Sequence, residues 1–414
     1  MRKLVITAIL TTLAATIIAC GGGGSTTPSI PGNNTIAGPA ANVAPIVVSA
    51  GPAGISPPAV NSPFTSVTVC IHGTSSCQTI DNILVDTGSI GLRLLSSTGG
   101  GELTLALPQE TDSSGNGISE CSEFVDNVSY GSVRVADIQI TGETASNVPI
   151  QVIGDLSSVP ASCTNTGLPV EDILQDPANP VLGLYANGIL GVGPFPQDCG
   201  LGCLESVTNN PTIYYSCPSS GCQDTVLSSI SQEVVNPVVL FPKDNNGVIV
   251  ELPAISGTGQ NNVAGSLVFG IGTQSNNGLG GATVFPIDPS YGLFTTIYNN
   301  IGYLGFIDSG SSGLFFLDQP TIGLVVCPNG IYYCSNANGI SVANQGSSGS
   351  PTQVIGDVNV ADADTLGNFT AFNNLAGPNP GMWDWGLPFF FGRNVYTSIE
   401  GQAVPGGVAP YFAY

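Results

Sequence analysis

The sequence predicts an all-β protein built of two similar lobes, and three observations lead to this fold class. First, 414 residues are too many for one small core and suit two lobes of roughly 170–190 residues each. Second, 55 glycines, 31 prolines and a charged fraction of only 8% favour short strands and turns over long helices. Third, a strand–turn segment around Asp86 recurs around Asp308. We therefore predict an N-terminal lobe over 56–232 and a C-terminal lobe over 233–414.

The charge of the chain is strongly negative. Asp and Glu total 28 and Lys and Arg total 6, which gives a net charge of −22 at pH 7. Arg2 and Lys3 lie in a predicted leader, so the mature chain has four basic against 28 acidic residues, a net charge of −24. The four are Arg93, Arg134, Lys243 and Arg393. A surface of this sign repels nucleic acid and anionic lipid head groups, which excludes both as partners, and it indicates solubility rather than a specific acidic function.

Residues 1–19 are typical of a secretory signal peptide. Met1–Lys3 is a short basic start, and the apolar run that follows it is too short to span a membrane comfortably. The run ends in Ile-Ile-Ala-Cys at Cys20, which resembles the lipobox of bacterial lipoproteins and implies that Cys20 is acylated and anchors the chain to a membrane. Gly21 favours the outer membrane, facing the periplasm or the cell surface. The stretch over 20–55 is expected to be a flexible Gly/Pro/Ser linker. The alternative is an ordinary signal peptide cleaved nearby.

Ten further cysteines follow, and an even number in an exported chain indicates disulfide bonds. Their spacing suggests the pairs Cys70–Cys77, Cys121–Cys163 and Cys327–Cys334, whereas three pairings are open to Cys199, Cys203, Cys217 and Cys222. Zinc is the alternative for these last four, but no histidine lies near them in the sequence and the compartment is oxidising, so we predict no metal. His72 is the only histidine, which excludes Ser-His and Cys-His catalysis.

Two segments match each other closely: Ile83–Leu95 and Gly305–Leu317. Each has a hydrophobic strand, then Asp-Thr/Ser-Gly-Ser, and then an apolar run that begins with leucine. The strand fixes the position of the Asp side chain, and the glycine lets backbone approach it closely. The residues after the two aspartates are predicted to bond across the lobe junction, to form the turns and to donate to the carboxylates: Thr87 and Ser309, Gly88 and Gly310, and Ser89 and Ser311, respectively. One Asp-Gly-Ser turn is common, so the repetition carries the prediction.

The two segments resemble the active-site signature of pepsin-like aspartic peptidases. In that family a hydrophobic-hydrophobic-Gly strand follows each Asp motif, and Gly188–Gly193 and Phe389–Tyr396 match it in order. Gly265–Gly272 resembles the hairpin strand that opens the sheet of the second lobe. The resemblance runs from about Phe64 to Tyr414. It implies the bilobal pepsin-like (acid protease) fold, in which two homologous β-barrel-like lobes have a cleft between them. The chain is similar to bacterial lipoproteins of unassigned function within that superfamily.

Pepsin-like enzymes cover their cleft with a hairpin flap that carries a tyrosine, and the flap differs here. Phe124 falls near the tyrosine position, and Tyr130 lies on the returning side. Either Phe124 replaces the tyrosine, or the flap is rebuilt and Tyr130 serves, or both rings only pack. Arg93 replaces the aromatic partner of that tyrosine; it would bind a substrate carboxylate, stabilise the ionised aspartates or lie on the surface. The run Trp383–Trp385 would line the cleft or, as is commoner beside a core strand, pack in the core.

The resemblance implies an aspartic endopeptidase in which Asp86 and Asp308 share one proton, as in aspartic proteases generally, and activate water without a metal or cofactor. The expected substrates are peptides or unfolded proteins, the optimum lies on the acid side, and a monomer is expected. The alternative is a non-catalytic binding or inhibitor-like envelope lipoprotein on the same scaffold, as in plant proteins that resemble pepsin-like enzymes but inhibit glycosidases. A purely structural envelope protein would leave the repeated Asp turns unexplained.

Overall fold

The structure is a computed structural model that describes residues 35–125, 127–164, 167–171, 183–205 and 213–414, and of 171 and 353–357 it describes the backbone alone. The predicted signal peptide, Cys20 and the first part of the predicted linker lie outside the described residues. Within these ranges no helix is long and apolar enough to cross a membrane.

The described residues are almost entirely β-structure, as the sequence predicts. The strands are, in chain order, β1 (Val43–Val48), β2 (Pro63–Cys70), β3 (Cys77–Asp86), β4 (Ile90–Leu95), β5 (Gly117–Glu123), β6 (Val128–Ile140), β7 (Glu143–Ile153), β8 (Val170–Glu171), β9 (Gly188–Val192), β10 (Tyr214–Cys217), β11 (Gln223–Asp224), β12 (Gly247–Leu252), β13 (Val263–Phe269), β14 (Val284–Pro286), β15 (Phe294–Tyr298), β16 (Ile301–Ile307), β17 (Leu314–Leu317), β18 (Ala337–Gln345), β19 (Thr352–Val360), β20 (Ala376–Gly377), β21 (Asn379–Trp385), β22 (Arg393–Ser398) and β23 (Tyr411–Ala413). The helical segments are α1 (Gln319–Ile322) and short 3-10 turns at Ser97–Gly99, Gly200–Leu204, Ile230–Gln232, Pro237–Leu240, Ala363–Thr365 and Leu387–Phe389.

The strands form two barrel-like sheets. A 16-stranded sheet contains β1–β14, β22 and β23, and a 7-stranded sheet contains β15–β21. The larger sheet receives strands from both halves of the chain, because β13 pairs with β1 and β12 pairs with β22. The predicted all-β, two-lobed fold class is confirmed.

The segment Val43–Val48 corrects two predictions. It lies within the stretch assigned to a flexible linker, but it is strand β1, which pairs antiparallel with β13 and with β2. Ile46 and Val48 are buried in the core, and their burial holds this part of the stretch in the sheet. Strand β13 was expected to open the sheet of the second lobe; it pairs instead with β1 and β12 in the 16-stranded sheet.

A three-strand unit occurs once in each half of the chain. In the first, β9 pairs parallel with β3 and antiparallel with β4. In the second, β21 pairs parallel with β16 and antiparallel with β17. The strand beside the second Asp turn is therefore Asn379–Trp385, and the prediction of Phe389–Tyr396 is wrong. Phe389 ends a 3-10 turn that contains Pro388, and β22 lies in the other sheet.

Aromatic packing and disulfide bonds hold the two sheets. Trp383 and Trp385 are fully buried, and the Trp383 ring stacks on Phe316 at 4.4 Å between centroids, which confirms the core interpretation of this run.

The three suggested disulfides are present. The remaining four cysteines pair as Cys199–Cys203 and Cys217–Cys222. Because all four sulfurs are used in disulfides, the zinc alternative for this cluster is wrong.

Candidate active site at the paired aspartates

Asp86 is the last residue of β3, and the turn after it directs two donors at its carboxyl group. The N–H of Gly88 donates to Asp86 Oδ1 at 2.8 Å, and the hydroxyl of Ser89 donates to Oδ2. Asp86 is only 6% exposed. Because β3 is paired on both sides, with β2 and with β9, the sheet fixes the position of this carboxyl group.

Asp308 directly follows β16, and its turn supplies the same two kinds of donor. The N–H of Gly310 donates to Asp308 Oδ1 at 2.7 Å, and the hydroxyl of Ser311 donates toward Oδ2 at 2.9 Å. The backbone N–H of Asp308 donates to the carbonyl of Trp385 at 3.1 Å. The two turns therefore place the same donors on the same carboxylate oxygens.

The two turns are tied together by exchanged hydrogen bonds. The N–H of Thr87 donates to Ser309 Oγ at 3.1 Å, and the N–H of Ser309 donates to Thr87 Oγ1 at 2.9 Å. Each hydroxyl then donates to a carbonyl of the opposite strand, Thr87 to Ile307 at 3.3 Å and Ser309 to Val85 at 2.7 Å. Each hydroxyl thus accepts one bond and donates one, so the exchange leaves no polar atom of the hydroxyls unpaired.

Each turn glycine lies against the carboxyl group of the other turn. A Cβ atom added to Gly88 would lie 2.5 Å from Asp308 Cγ, and one added to Gly310 would lie 2.7 Å from Asp86 Oδ1. No side chain fits at either position, so only glycine permits the approach. Burial, then the Asp86 carboxylate and then Asp384, raises the pKa of Asp308 well above its usual range. Asp308 therefore keeps its proton to higher pH than an ordinary aspartic acid.

A third carboxyl group, Asp384, adjoins the pair, and sequence reasoning missed it. It lies on β21 and is 4% exposed, and the Ser311 hydroxyl is 2.6 Å from Asp384 Oδ2. Burial raises its pKa well above the ordinary value; the bond from Ser311 opposes this and the Asp86 carboxylate adds to it. The available signal was a single carboxylate between two tryptophans of a buried strand.

Arg93 lies on β4 and is fully buried. Its Nη2 donates to Glu120 Oε1 at 2.6 Å and to Asp198 Oδ2 at 3.2 Å, and both carboxylates are fully buried. The hydroxyl of Tyr214 donates to the other Asp198 oxygen at 2.8 Å. The surface interpretation of Arg93 is wrong. Binding of a substrate carboxylate and stabilisation of the ionised aspartates find no support in these contacts either. A buried guanidinium needs buried counter-ions, and here Glu120 and Asp198 are already its partners.

The hairpin of β5 and β6 carries both candidate flap aromatics. Phe124 lies at its tip, where its N–H donates to the Asn127 carbonyl at 2.8 Å, and its ring centroid is 5.9 Å from Arg93 Cζ. This distance allows a cation–π contact, so Phe124 partners the residue at position 93. Tyr130 is 2% exposed, packs edge-on against Tyr215 and bonds to Ser119. Tyr130 is thus a core residue, which favours the alternative in which its ring only packs.

Two further features lie apart from the aspartate pair. A cavity of about 370 Å³ opens in the second half of the chain; Trp385, Phe389 and Arg393 are among its walls, and neither Asp86 nor Asp308 is. Among the described residues, Cys327, Cys334 and Asp364 are spaced like metal ligands. The two cysteines form a disulfide, so this group does not offer thiolates to a metal.

Comparison with known proteins places the chain in a family without assigning it an activity. No curated protein matches it. Among solved structures, an aspartic proteinase from Irpex lacteus matches with a TM-score of 0.47 and 14% identity, over 87% of this chain and 94% of that one. A similarity this low does not assign a role to any residue of the site. A family profile matches residues 38–414. The chain therefore belongs to the family described as "Protein of unknown function (DUF3443)".

Proposed function

We propose that the chain is an aspartic endopeptidase of the bacterial cell envelope, with Asp86 and Asp308 as its catalytic residues. One observation carries the proposal: two carboxyl groups from separate halves of the chain meet through exchanged Thr87–Ser309 hydrogen bonds and through two glycines that admit no side chain. A purely structural turn has no need of two buried acids held against each other, since their proximity is costly.

The chemistry follows from the shared proton. The ionised carboxylate accepts a proton from a water molecule, whose oxygen attacks the carbonyl carbon of the scissile peptide. The protonated carboxyl group donates to the carbonyl oxygen and stabilises the tetrahedral intermediate. Proton transfer to the amide nitrogen then lets the C–N bond break, which yields a carboxylic acid and an amine. The proton belongs to the pair, so neither role is assigned to one aspartate.

The cell-envelope setting is part of the proposal. The lipobox-like sequence at Cys20 supports a lipid anchor, and five disulfides suit an oxidising compartment. The proposed substrates are peptides or unfolded proteins that reach an anchored, monomeric enzyme. The net negative charge disfavours acidic substrates.

The test is hydrolysis of a dye-labelled unfolded protein by the lipid-free chain between pH 3 and 7. We expect activity on the acid side of neutral, tight inhibition by a statine-type transition-state mimic, and loss of activity in Asp86→Asn and Asp308→Asn. Asp364→Asn, which changes an exposed carboxylate, is the matched control and should retain activity.

Retained hydrolysis in either catalytic variant would refute the assignment. Binding of unfolded protein without cleavage, equal in wild type and in the two variants, would favour the binding-protein alternative. The half-buried Phe124 at the hairpin tip, which has no hydroxyl, is the feature that keeps this alternative open.

A further inference from the structure

The hydroxyl of Ser311 lies between two carboxyl groups. Its Oγ is 2.9 Å from Asp308 Oδ2 and 2.6 Å from Asp384 Oδ2. Asp384 is 4% exposed, and its other oxygen, Oδ1, is buried without a hydrogen-bond partner among the described residues. Asp384 is therefore a buried acid whose one contact with the site is a shared hydroxyl group.

The number of hydrogen atoms restricts the protonation of this arrangement. A serine hydroxyl has one hydrogen to donate and two lone pairs to accept with. It cannot donate to two carboxylates at once, and two ionised oxygens at these distances would leave one contact repulsive. Both contacts are favourable only when one carboxyl group is protonated and donates to Ser311. Asp384 suits this role because an ionised carboxylate with an unpartnered buried oxygen is costly.

The first half of the chain shows the same turn without a third acid. Leu84 and Phe306 each lie two residues before the aspartate of their turn, and they pair with Ile189 and Asp384, respectively. Asp384 therefore occupies the position that Ile189, a buried aliphatic residue, has in the first half. The hydroxyl of Ser89 accordingly donates to one carboxyl group, that of Asp86. Asp308 thus shares the hydroxyl group of its turn with a third carboxyl group, that of Asp384, whereas Asp86 does not share the hydroxyl of Ser89.

We infer that Asp384 is a positioning residue that keeps a proton on Oδ2. Through this proton it donates a hydrogen bond to Ser311 Oγ, and so it keeps the Ser311 hydroxyl directed at Asp308. This inference rests on the proposed function and extends it to a third carboxyl group. When Asp384 loses its proton, the Ser311 hydroxyl turns toward the new carboxylate. Asp308 then loses a donor that favours its ionised form and gains a negative neighbour, and both changes keep Asp308 protonated to higher pH.

The charged groups around Asp384 are acids. Asp308, on the turn after β16, and Asp86, on the turn after β3, are the titratable groups that act on it or on its partner. Strands β16 and β17, which flank β21, place Phe306 and Phe315 opposite Asp384. Among the described residues no basic side chain forms an ion pair with any of the three aspartates. No ion pair in this part of the structure therefore offsets ionisation of all three.

The first experiment needs no enzymatic activity. The denaturant midpoint of the full mature chain is measured from pH 4 to pH 8 for wild type, Asp384→Asn and Asp384→Ile, the last of which copies the first half of the chain. A group that stays protonated only in the folded state makes the midpoint fall as pH rises. We expect a smaller fall in both variants than in wild type. Equal falls in all three proteins would overturn the inference.

A double-mutant cycle tests the link to Asp308 in the same way. Asp308→Asn is combined with Asp384→Asn, and the pH dependence of the midpoint is compared with the sum of the single changes. We expect the two changes to be non-additive, and additivity would overturn the coupling. Ser311→Ala should reduce the non-additivity, because the hydroxyl connects the two groups.

The second experiment uses the pH profile of peptide hydrolysis. We expect the upper limb of kcat/KM to move to lower pH by about one pH unit in Asp384→Asn and in Asp384→Ile, with Asp364→Asn unchanged. An unmoved upper limb would overturn the inference. If wild type hydrolyses nothing at any pH, the proposed function fails, and the denaturation experiments still decide whether Asp384 holds a proton coupled to Asp308.

Discussion

Thr87 and Ser309 accept a hydrogen bond from each other's backbone N–H, at 2.9 and 3.1 Å. They stand 222 residues apart and are the residues that follow the two aspartates. Their hydroxyl groups also donate to the strands that lead into the opposite turn. The separation of the two carboxyl groups is therefore set by a few buried bonds at the meeting point of two sheets.

Removing one of these hydroxyl groups should loosen the pair. In Ser309→Ala the N–H of Thr87 and the carbonyl of Val85 both lose their partner in a buried site, which we expect to cost about 1–3 kcal/mol of unfolding free energy. Misplacement of the aspartates should lower kcat on the order of ten- to a hundredfold. Denaturant titration and hydrolysis assays measure the two effects. Ser309→Thr, which keeps the hydroxyl, and Thr68→Val, in an exposed Thr–Thr contact, should change little; a neutral Ser309→Ala contradicts the prediction.

The sequence was sufficient to predict the fold class and the aspartate pair because both depend on local, repeated patterns. A hydrophobic strand followed by Asp-Thr/Ser-Gly-Ser specifies its own turn, and the second copy supplies the partner. The strand beside the second Asp turn is Asn379–Trp385 and not Phe389–Tyr396, and Asp384 interrupts the hydrophobic pattern of that strand. A buried acid breaks the periodicity that sequence reasoning relies on.

Arg93 shows a different limit of the sequence. Its partners Glu120 and Asp198 are 27 and 105 residues away, so no local pattern connects the three. Their common burial follows from the pairing of β4 with β9 and from the position of the β5–β6 hairpin, which carries Glu120. Both are tertiary relationships. The same holds for Phe124, whose contact with Arg93 joins residues that lie far apart in the sequence.

Replacing Arg93 should destabilise the protein strongly. Arg93→Met leaves Glu120 and Asp198 buried beside each other without a counter-ion, which we expect to cost about 3–5 kcal/mol of unfolding free energy at pH 7. Denaturant unfolding measures it. Arg134→Met is the matched control, because the Arg134–Asp155 ion pair is partly exposed and should contribute about 1 kcal/mol or less. Equal losses in the two variants would show that the Arg93 cluster is not an energetically special ion pair.

The unfolding free energy should fall as pH rises toward 8. Burial, followed by the Asp198 carboxylate, raises the pKa of Glu233 from 4.5 to about 8, and burial raises that of Glu251 from 4.5 to about 7. Above pH 4.5 the unfolded chain has released these protons while the folded chain still holds them. Their contribution is therefore complete below pH 4.5 and is lost as pH rises through 7 and 8.

Glu233→Gln isolates one part of this dependence. The amide keeps an acceptor for the Gly200 N–H, which donates to Glu233 Oε2 at 2.7 Å, but it cannot ionise. We expect the fall in unfolding free energy between pH 5 and 8 to shrink on the order of 2–3 kcal/mol. Chemical denaturation at several pH values measures it, and Glu400→Gln, which changes a carboxylate whose side chain is less buried, provides the control. An unchanged slope in Glu233→Gln would show that Glu233 is ionised in the folded protein.

The contact between Phe124 and Arg93 predicts that the hairpin tip contributes to catalysis. Phe124 is half-buried, and its ring contacts a guanidinium on the strand that follows the Asp86 turn, so the ring connects the hairpin to the half of the chain that carries Asp86. Phe124→Ala should lower kcat/KM by about tenfold while the denaturant midpoint moves little, because a cation–π contact contributes only about 0.5–2 kcal/mol. Phe124→Tyr should retain activity, since it keeps the ring. Phe369→Ala removes a more exposed ring from another part of the surface and should leave kcat/KM at the wild-type value. Wild-type kcat/KM in Phe124→Ala would mean that the hairpin packs on Arg93 without serving the aspartate pair.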